Sequence, residues 1–198
     1  MNETKNNVAW EQIFKKYRIL EKIKKDGVFE INSGQINEYR EARLMTKFDH
    51  RKNLPKIFDE NNLSILPITR GSYLIAQFEV YHSFEKRETE IVKIPFPTYI
   101  ESIDYENITS EAAALNCAYV SGILADFIDD EEIVPTVTGR MSSDAFRFYI
   151  NTYLGSKFEV NVTNAQIEVD GGYEGLETFS LIEAKNSLSD DFIIRQIY

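Results

Sequence analysis

The chain holds one cysteine, Cys117, and two histidines, His50 and His82, in 198 residues. A single cysteine excludes an internal disulfide. So few histidines leave no spacing that reads as a His/Cys zinc site, and they give poor support to a Ser/His/Asp triad. Cys117 lies in an apolar, alanine-rich stretch and is expected to pack there rather than react. Long apolar runs are missing too. The start, Met1-Asn-Glu-Thr-Lys-Asn-Asn, is polar, and nothing resembles a secretion signal or the roughly 20 apolar residues of a membrane-spanning helix. A cytoplasmic protein without membrane association is therefore expected, in which Asn107-Ile-Thr and Asn161-Val-Thr are chance glycosylation matches. Repeats, low-complexity tracts and glycine-rich phosphate loops are also absent.

What is present belongs to a folded chain: 43% hydrophobic, 13% aromatic and 27% charged residues exclude a disordered one. The net charge of −10 sits badly with a grip on DNA, which rests on Lys and Arg. Its distribution changes the picture. Residues 1–56 carry 13 Lys and Arg against 8 Asp and Glu, for +5, while the remainder carries −15. A basic first module joined to an acidic, cation-binding one is expected, with Lys15, Lys16, Lys22, Lys24 and Lys25 on a solvated helix face.

The first module reads as helix, strand, helix, helix, hairpin. Apolar residues from Trp10 to Ile23 follow a helical stripe that Gly27 ends. Residues 27–31 form a strand, Asn32-Ser-Gly caps a second helix, and Pro55 opens another. Thr69-Arg70-Gly71 turns a hairpin. That order is the order of a winged helix, with Arg70 at the wing tip. Arg43, Lys47 and Arg51 between helices are candidates for DNA contact. The proline-bearing stretch around Pro95 and Pro97 marks the boundary. It places a winged-helix-like DNA-binding domain at 1–95 and a second domain at 96–198. In the second, a helix from Glu111 through Phe127 precedes strands at 133–138, 146–150 and 158–162. A polar turn at 139–143 presents Arg140, and Arg147 follows it as a further DNA-facing cation.

Two stretches near the end carry chemistry: Gln166-Ile-Glu-Val-Asp170-Gly-Gly, and Phe179-Ser-Leu-Ile-Glu183-Ala-Lys185-Asn. Both read as strands, the first stopping at a Gly-Gly turn. Side chains alternate along a strand, so Glu183 and Lys185 point one way while Ala184 enters the packed side. Two carboxylates and an ammonium suit Mg²⁺ and a phosphate. Asp170 and Glu183 would be ligands, and Lys185 would steady the attacking water or the oxyanion. A structural ion pair on a hairpin is the alternative, since the tripeptide also occurs at Glu3-Thr-Lys5. Glu168 shares the strand face of Asp170 as either a further ligand or an exposed strand residue.

The order Asp, twelve residues, Glu-x-Lys on an apolar strand, then a helix resembles the PD-(D/E)XK nuclease superfamily, and most its type II restriction endonucleases. The resemblance covers residues 160–198, with Val169 where the family has proline. It implies an α/β (mixed α+β) fold whose restriction-endonuclease-like core is a central mixed sheet flanked by helices. It further implies Mg²⁺-dependent, sequence-specific hydrolysis of double-stranded DNA, a homodimer and a cognate DNA methyltransferase. In some members a glutamine on the helix after Glu-x-Lys helps fix the site. Residues 190–198 read as that helix and make Gln196 a candidate catalytic residue. A further helix and tail are expected beyond Tyr198. Glu111 stands where some members place a metal-touching glutamate, but an acidic residue in a first helical turn complements the helix dipole, and that account, which needs no catalysis, is preferred. Two other functions use the same residues: a non-catalytic winged-helix DNA-binding or regulatory protein, and a repair nuclease that reads DNA structure.

Overall fold

The computed structural model describes residues 4–84, 90–186 and 189–194. They form a mixed α/β fold whose strands make several small sheets. Two compact units divide the chain: the described residues of Met1–Phe84, Ser142–Gln166 and Ser189–Tyr198, and those of Glu85–Met141 and Ile167–Leu188. A single cut near residue 95 is thus not how the chain packs. Among the described residues no helix is long and apolar enough to cross a membrane.

The first unit opens with α1 (Lys5–Tyr17), whose N-cap Thr4 accepts a hydrogen bond from the Asn7 N–H, and α2 (Ile19–Asp26). The single helix expected from Trp10 to Ile23 is broken at Arg18, in the left-handed region at φ 51°. The break turns Ile19 and Ile23 into the core that already holds Trp10, Ile13 and Phe14. Burial of those two isoleucines outweighs the roughly 1–2 kcal/mol that a non-glycine residue costs in this conformation. Gly27 ends α2 at φ 79°, a conformation glycine adopts freely.

Strand β1 (Val28–Asn32) leads into α3 (Ser33–Asn37), where Asn32 and Gln35 form a reciprocal capping box. After α4 (Ala42–Met45) and a short 3₁₀ turn at Arg51–Asn53, Pro55 is the N-cap of α5 (Lys56–Glu60). Strands β2 (Ser64–Pro67) and β3 (Ser72–Ala76) pair antiparallel, and the sheet order is β1-β3-β2. At the hairpin tip Thr69 Oγ1 accepts from the backbone N–H groups of Gly71 (3.2 Å) and Ser72 (2.9 Å). The core is aromatic: the Phe58 ring meets Trp10 edge-on at 4.8 Å and Phe14 at 5.2 Å. The Trp10 Nε1–H donates to the Met45 carbonyl at 3.0 Å.

A second cluster in this unit gathers Leu66, Phe78 and Val80 with the hairpin β6 (Phe146–Asn151) and β7 (Lys157–Val162). Here the expectation of one central mixed sheet is corrected: β6–β7 is a sheet of its own. Its inward residues, Ile150, Val160 and Val162, pack on Phe78 and Val80. A second correction concerns residues 190–198. Their described part is a strand, β10 (Asp191–Ile193), paired antiparallel with β4 (Tyr81–Ser83). Ile193 is buried beside Val80, and Phe192 points the other way to stack on Phe84 at 4.9 Å, the period of a strand.

In the second unit Ser110 caps α6 (Glu111–Val120) by accepting from the Ala113 N–H at 3.1 Å. The expected long helix is broken at Gly122 (φ 80°), and α7 (Ile123–Ile128) follows. Strands β5 (Val134–Ser142), β8 (Gln166–Glu174) and β9 (Phe179–Ile182) lie in the order β5-β8-β9. The expected polar turn at 139–143 is largely strand, since β5 runs to Ser142. The Gly171-Gly172 pair lies inside β8, not at a turn. A Cβ on Gly172 would sit 2.8 Å from the Cβ of Val137 on β5, so glycine lets these strands approach. Leu115, Leu124, Ile133 and Tyr173 form the core, with Ile182 and Ala184 against it.

Candidate active site

Strands β8 and β9 pair antiparallel with Gly171 opposite Ile182. One step further the same register sets Asp170 opposite Glu183, on one face of the sheet. Pairing between the strands ends there, and a side chain takes over: Asp170 Oδ2 accepts from the Ala184 N–H at 3.0 Å. β9 stops at Ile182, so Glu183, Ala184 and Lys185 lie just past the strand expected to carry them; Ala184 still packs with Ile182 against the core. The Lys185 ammonium donates to Glu183 Oε1. Both side chains are about one-third exposed, at 36% and 30%.

Burial pushes the Glu183 carboxyl above the ordinary glutamate range. Lys185 opposes that shift, while the charge of Asp170 and a hydrogen bond with it reinforce it. Burial lowers the Lys185 ammonium, but the hydrogen bond to Glu183 and the charges of Glu183, Glu111 and Asp170 outweigh it, for a net rise. Glu111, in the first turn of α6, thus contributes to the field at Lys185. Among the described residues no three His, Cys, Asp or Glu side chains gather as a metal-holding group. The donor set is a pair of carboxylates. Their mutual repulsion over a half-buried floor is what a hard divalent cation relieves, so the residues present fit Mg²⁺.

The other candidate residues named from the sequence are held elsewhere in their units. Glu168 is paired with Arg140 at 3.1 Å and does not join Asp170. Arg43 pairs with Glu41 at 2.7 Å, and Lys47 is exposed next to the buried Phe48. Arg51 Nε approaches Asp59 at 3.5 Å; Arg70 at the hairpin tip donates to Ser142; Arg147 lies 3.8 Å from Glu159. Gln196 lies outside the described residues.

One constellation has no counterpart among those candidates. His50 Nδ1 lies 2.9 Å from Ser189 Oγ and 3.2 Å from Asp191 Oδ1, and Asp191 Oδ2 accepts from the Arg51 N–H at 2.8 Å. Serine and aspartate meet the same ring nitrogen, whereas a hydrolase relay needs one on each. The group is a clamp on β10. Separations of 139 and 141 residues leave no local signal that could have found it.

No curated protein and no solved structure is similar to this chain. Residues 7–75 match the family model DUF6996, a domain of unknown function. Residues 76–198 match DUF6997, also a domain of unknown function. With most of its length, Asp170, Glu183 and Lys185 included, inside that second match, the chain belongs to the DUF6997 family.

Proposed function

We propose that the chain is a Mg²⁺-dependent endonuclease of the PD-(D/E)XK kind, cutting double-stranded DNA at a specific sequence as type II restriction enzymes do. The meeting of Asp170, within β8, with Glu183 and Lys185, just past β9, carries this reading. Held by Asp170 and Glu183, Mg²⁺ would supply polarisation of the scissile phosphate and acidification of the attacking water. Asp170 is aimed by the Ala184 N–H, so its carboxylate is oriented before any ligand arrives. Lys185 keeps an ammonium beside both carboxylates, where it orients the water and offsets charge as the phosphate becomes pentavalent.

The element order of the first unit and its β1-β3-β2 sheet support a winged-helix DNA-binding module. Arg70 at the wing tip, Arg43, Lys47 and Arg51 are its cations for phosphates and guanine edges, with Arg140 and Arg147 on the later strands. A homodimer cutting both strands and a cognate methyltransferase follow from the resemblance. A second reading, a non-catalytic DNA-binding protein, is favoured by the Lys185–Glu183 ion pair, which closes a hairpin with no chemistry at all.

Incubation with plasmid and phage DNA, in Mg²⁺ and in EDTA, beside Asp170→Ala tests the proposal. Discrete Mg²⁺-dependent bands lost in the variant are expected. Retarded but uncut DNA would sink it in favour of the binder, and fragments that follow DNA structure instead of sequence would indicate a repair nuclease.

A further inference from the structure

A cleft of about 670 Å³ opens in the first unit, within the ~300–1,000 Å³ of small-molecule sites. Its walls are aromatic and basic: Tyr81 and His82 of β4, Tyr149 of β6, Tyr153 beyond it, and the cations Arg51 and Lys157. One carboxylate, Glu79, lines the cleft with those two cations.

The strand period explains why the aromatic rings are offered outwards. Phe148 and Ile150 turn into the core of β6, which leaves Tyr149 and Asn151 on the open face. Across the hairpin Tyr149 is opposite Glu159 and Asn151 opposite Lys157, so the ring and the ammonium share that face as diagonal neighbours. The Tyr149 hydroxyl donates to Glu159 Oε2 at 2.6 Å, which pins the ring at its far end while the residue stays 57% exposed. The Tyr81 hydroxyl donates to the Phe48 carbonyl at 2.8 Å and fixes the opposite wall. His82 lies against Phe192 at 5.8 Å, and Phe192 stacks on Phe84, itself 58% exposed, so the aromatic surface continues past the cleft. Single exposed aromatics are ordinary. Two of them, Tyr81 and Tyr149, fixed through their hydroxyls in a concave site that also holds the cations Arg51 and Lys157, make a stacking platform.

We infer that this cleft binds a nucleoside 5′-phosphate, the base stacked on Tyr149 and the phosphate on Lys157 and Arg51. Free nucleotide and the nucleotides of a single DNA strand present the same chemistry. The inference does not depend on the nuclease reading, since no residue is shared with Asp170, Glu183 or Lys185.

The test uses the whole chain in EDTA, where metal-dependent cutting is silent. Fluorescence anisotropy of a labelled oligothymidylate is followed with and without competing thymidine monophosphate. Tyr149→Ala is expected to weaken binding about tenfold or more, and Tyr149→Phe, which keeps the ring, to leave it within about twofold. Lys157→Gln should weaken binding and flatten its salt dependence. Competition by the mononucleotide at similar concentration assigns the site to free nucleotide, and failure to compete assigns it to the strand. Absence of binding by the unaltered chain, or a folded Tyr149→Ala protein that binds undiminished, overturns the inference. Plasmid cleavage in Mg²⁺ by the unaltered chain is read separately, so a lost nuclease activity and a lost cleft are told apart.

Discussion

The carboxylate of Asp170 accepts a hydrogen bond from the backbone of Ala184 at 3.0 Å, between Glu183 and Lys185. It stands where the ladder of β8 and β9 runs out, so one side chain both ends the hairpin and orients the pair of charges that follow. Structure and proposed chemistry therefore depend on the same oxygen, and substitutions can separate them.

Asp170→Asn keeps an oxygen acceptor for the Ala184 N–H and removes the negative charge. Its stability should stay within about 1 kcal/mol of the unaltered chain. Cleavage of plasmid in Mg²⁺ should fall by about 10²–10³-fold. Urea denaturation and gel-based cleavage on one preparation check both; an Asn variant that cuts normally would remove Asp170 from the site.

Gly172→Ala places a Cβ 2.8 Å from that of Val137, in a sheet with little room to give. A loss of about 1–3 kcal/mol is expected, as for overpacked cores. The measurement is the denaturation midpoint followed by circular dichroism, and an unchanged midpoint would mean that β5 and β8 are not so closely apposed.

Asp191→Ala leaves the Arg51 N–H without its acceptor at a largely buried carboxylate, 17% exposed, while His50 keeps the residue 191 carbonyl and Ser189 as partners. The expected cost is about 1–3 kcal/mol. Amide hydrogen exchange at Tyr81, His82 and Ser83 should accelerate as β10 loosens, and protection equal to the unaltered protein would deny the clamp.

The hydrogen bond from Lys16 holds the Glu38 carboxyl below its ordinary range, and Glu38 holds Lys16 above its own. A depressed carboxyl contributes stability above its unfolded value and loses it as pH falls through the folded one. A raised ammonium contributes below its unfolded value and loses it as pH rises through the folded one. The pair therefore supports the fold across neutral pH and fails at either extreme. Carboxyl-carbon NMR titration should place the Glu38 midpoint below that of an unpaired glutamate, and Lys16→Met should raise it; equal midpoints would contradict the pairing.

Local chemistry was legible in the residues. Asn32 with Gln35, Gly27 and the Thr69-Arg70-Gly71 turn each act on backbone groups within a few positions, so their roles can be read without knowing the fold. The juxtaposition of Glu183 and Lys185 was expected from alternation along a strand, yet β9 stops at Ile182 and the pair meets just past its end. The breaks at Arg18 and Gly122 were hidden, since apolar periodicity continues across both. So was β10, whose apolar residues suit a helix until β4 offers open backbone groups to pair with.

By itself the sequence determined which residues could carry chemistry, where the chain turns and caps, and that its amino-terminal part is basic. Those follow from side-chain type and from interactions over a few residues. Tertiary structure alone decided that the β6–β7 hairpin joins the first unit, that Glu168 is paired with Arg140, and that Tyr149 and Lys157 share a cleft with Arg51. Each of these joins groups far apart in the chain, and which of several apolar or charged partners meet is settled only when the core closes and burial selects one packing over the rest.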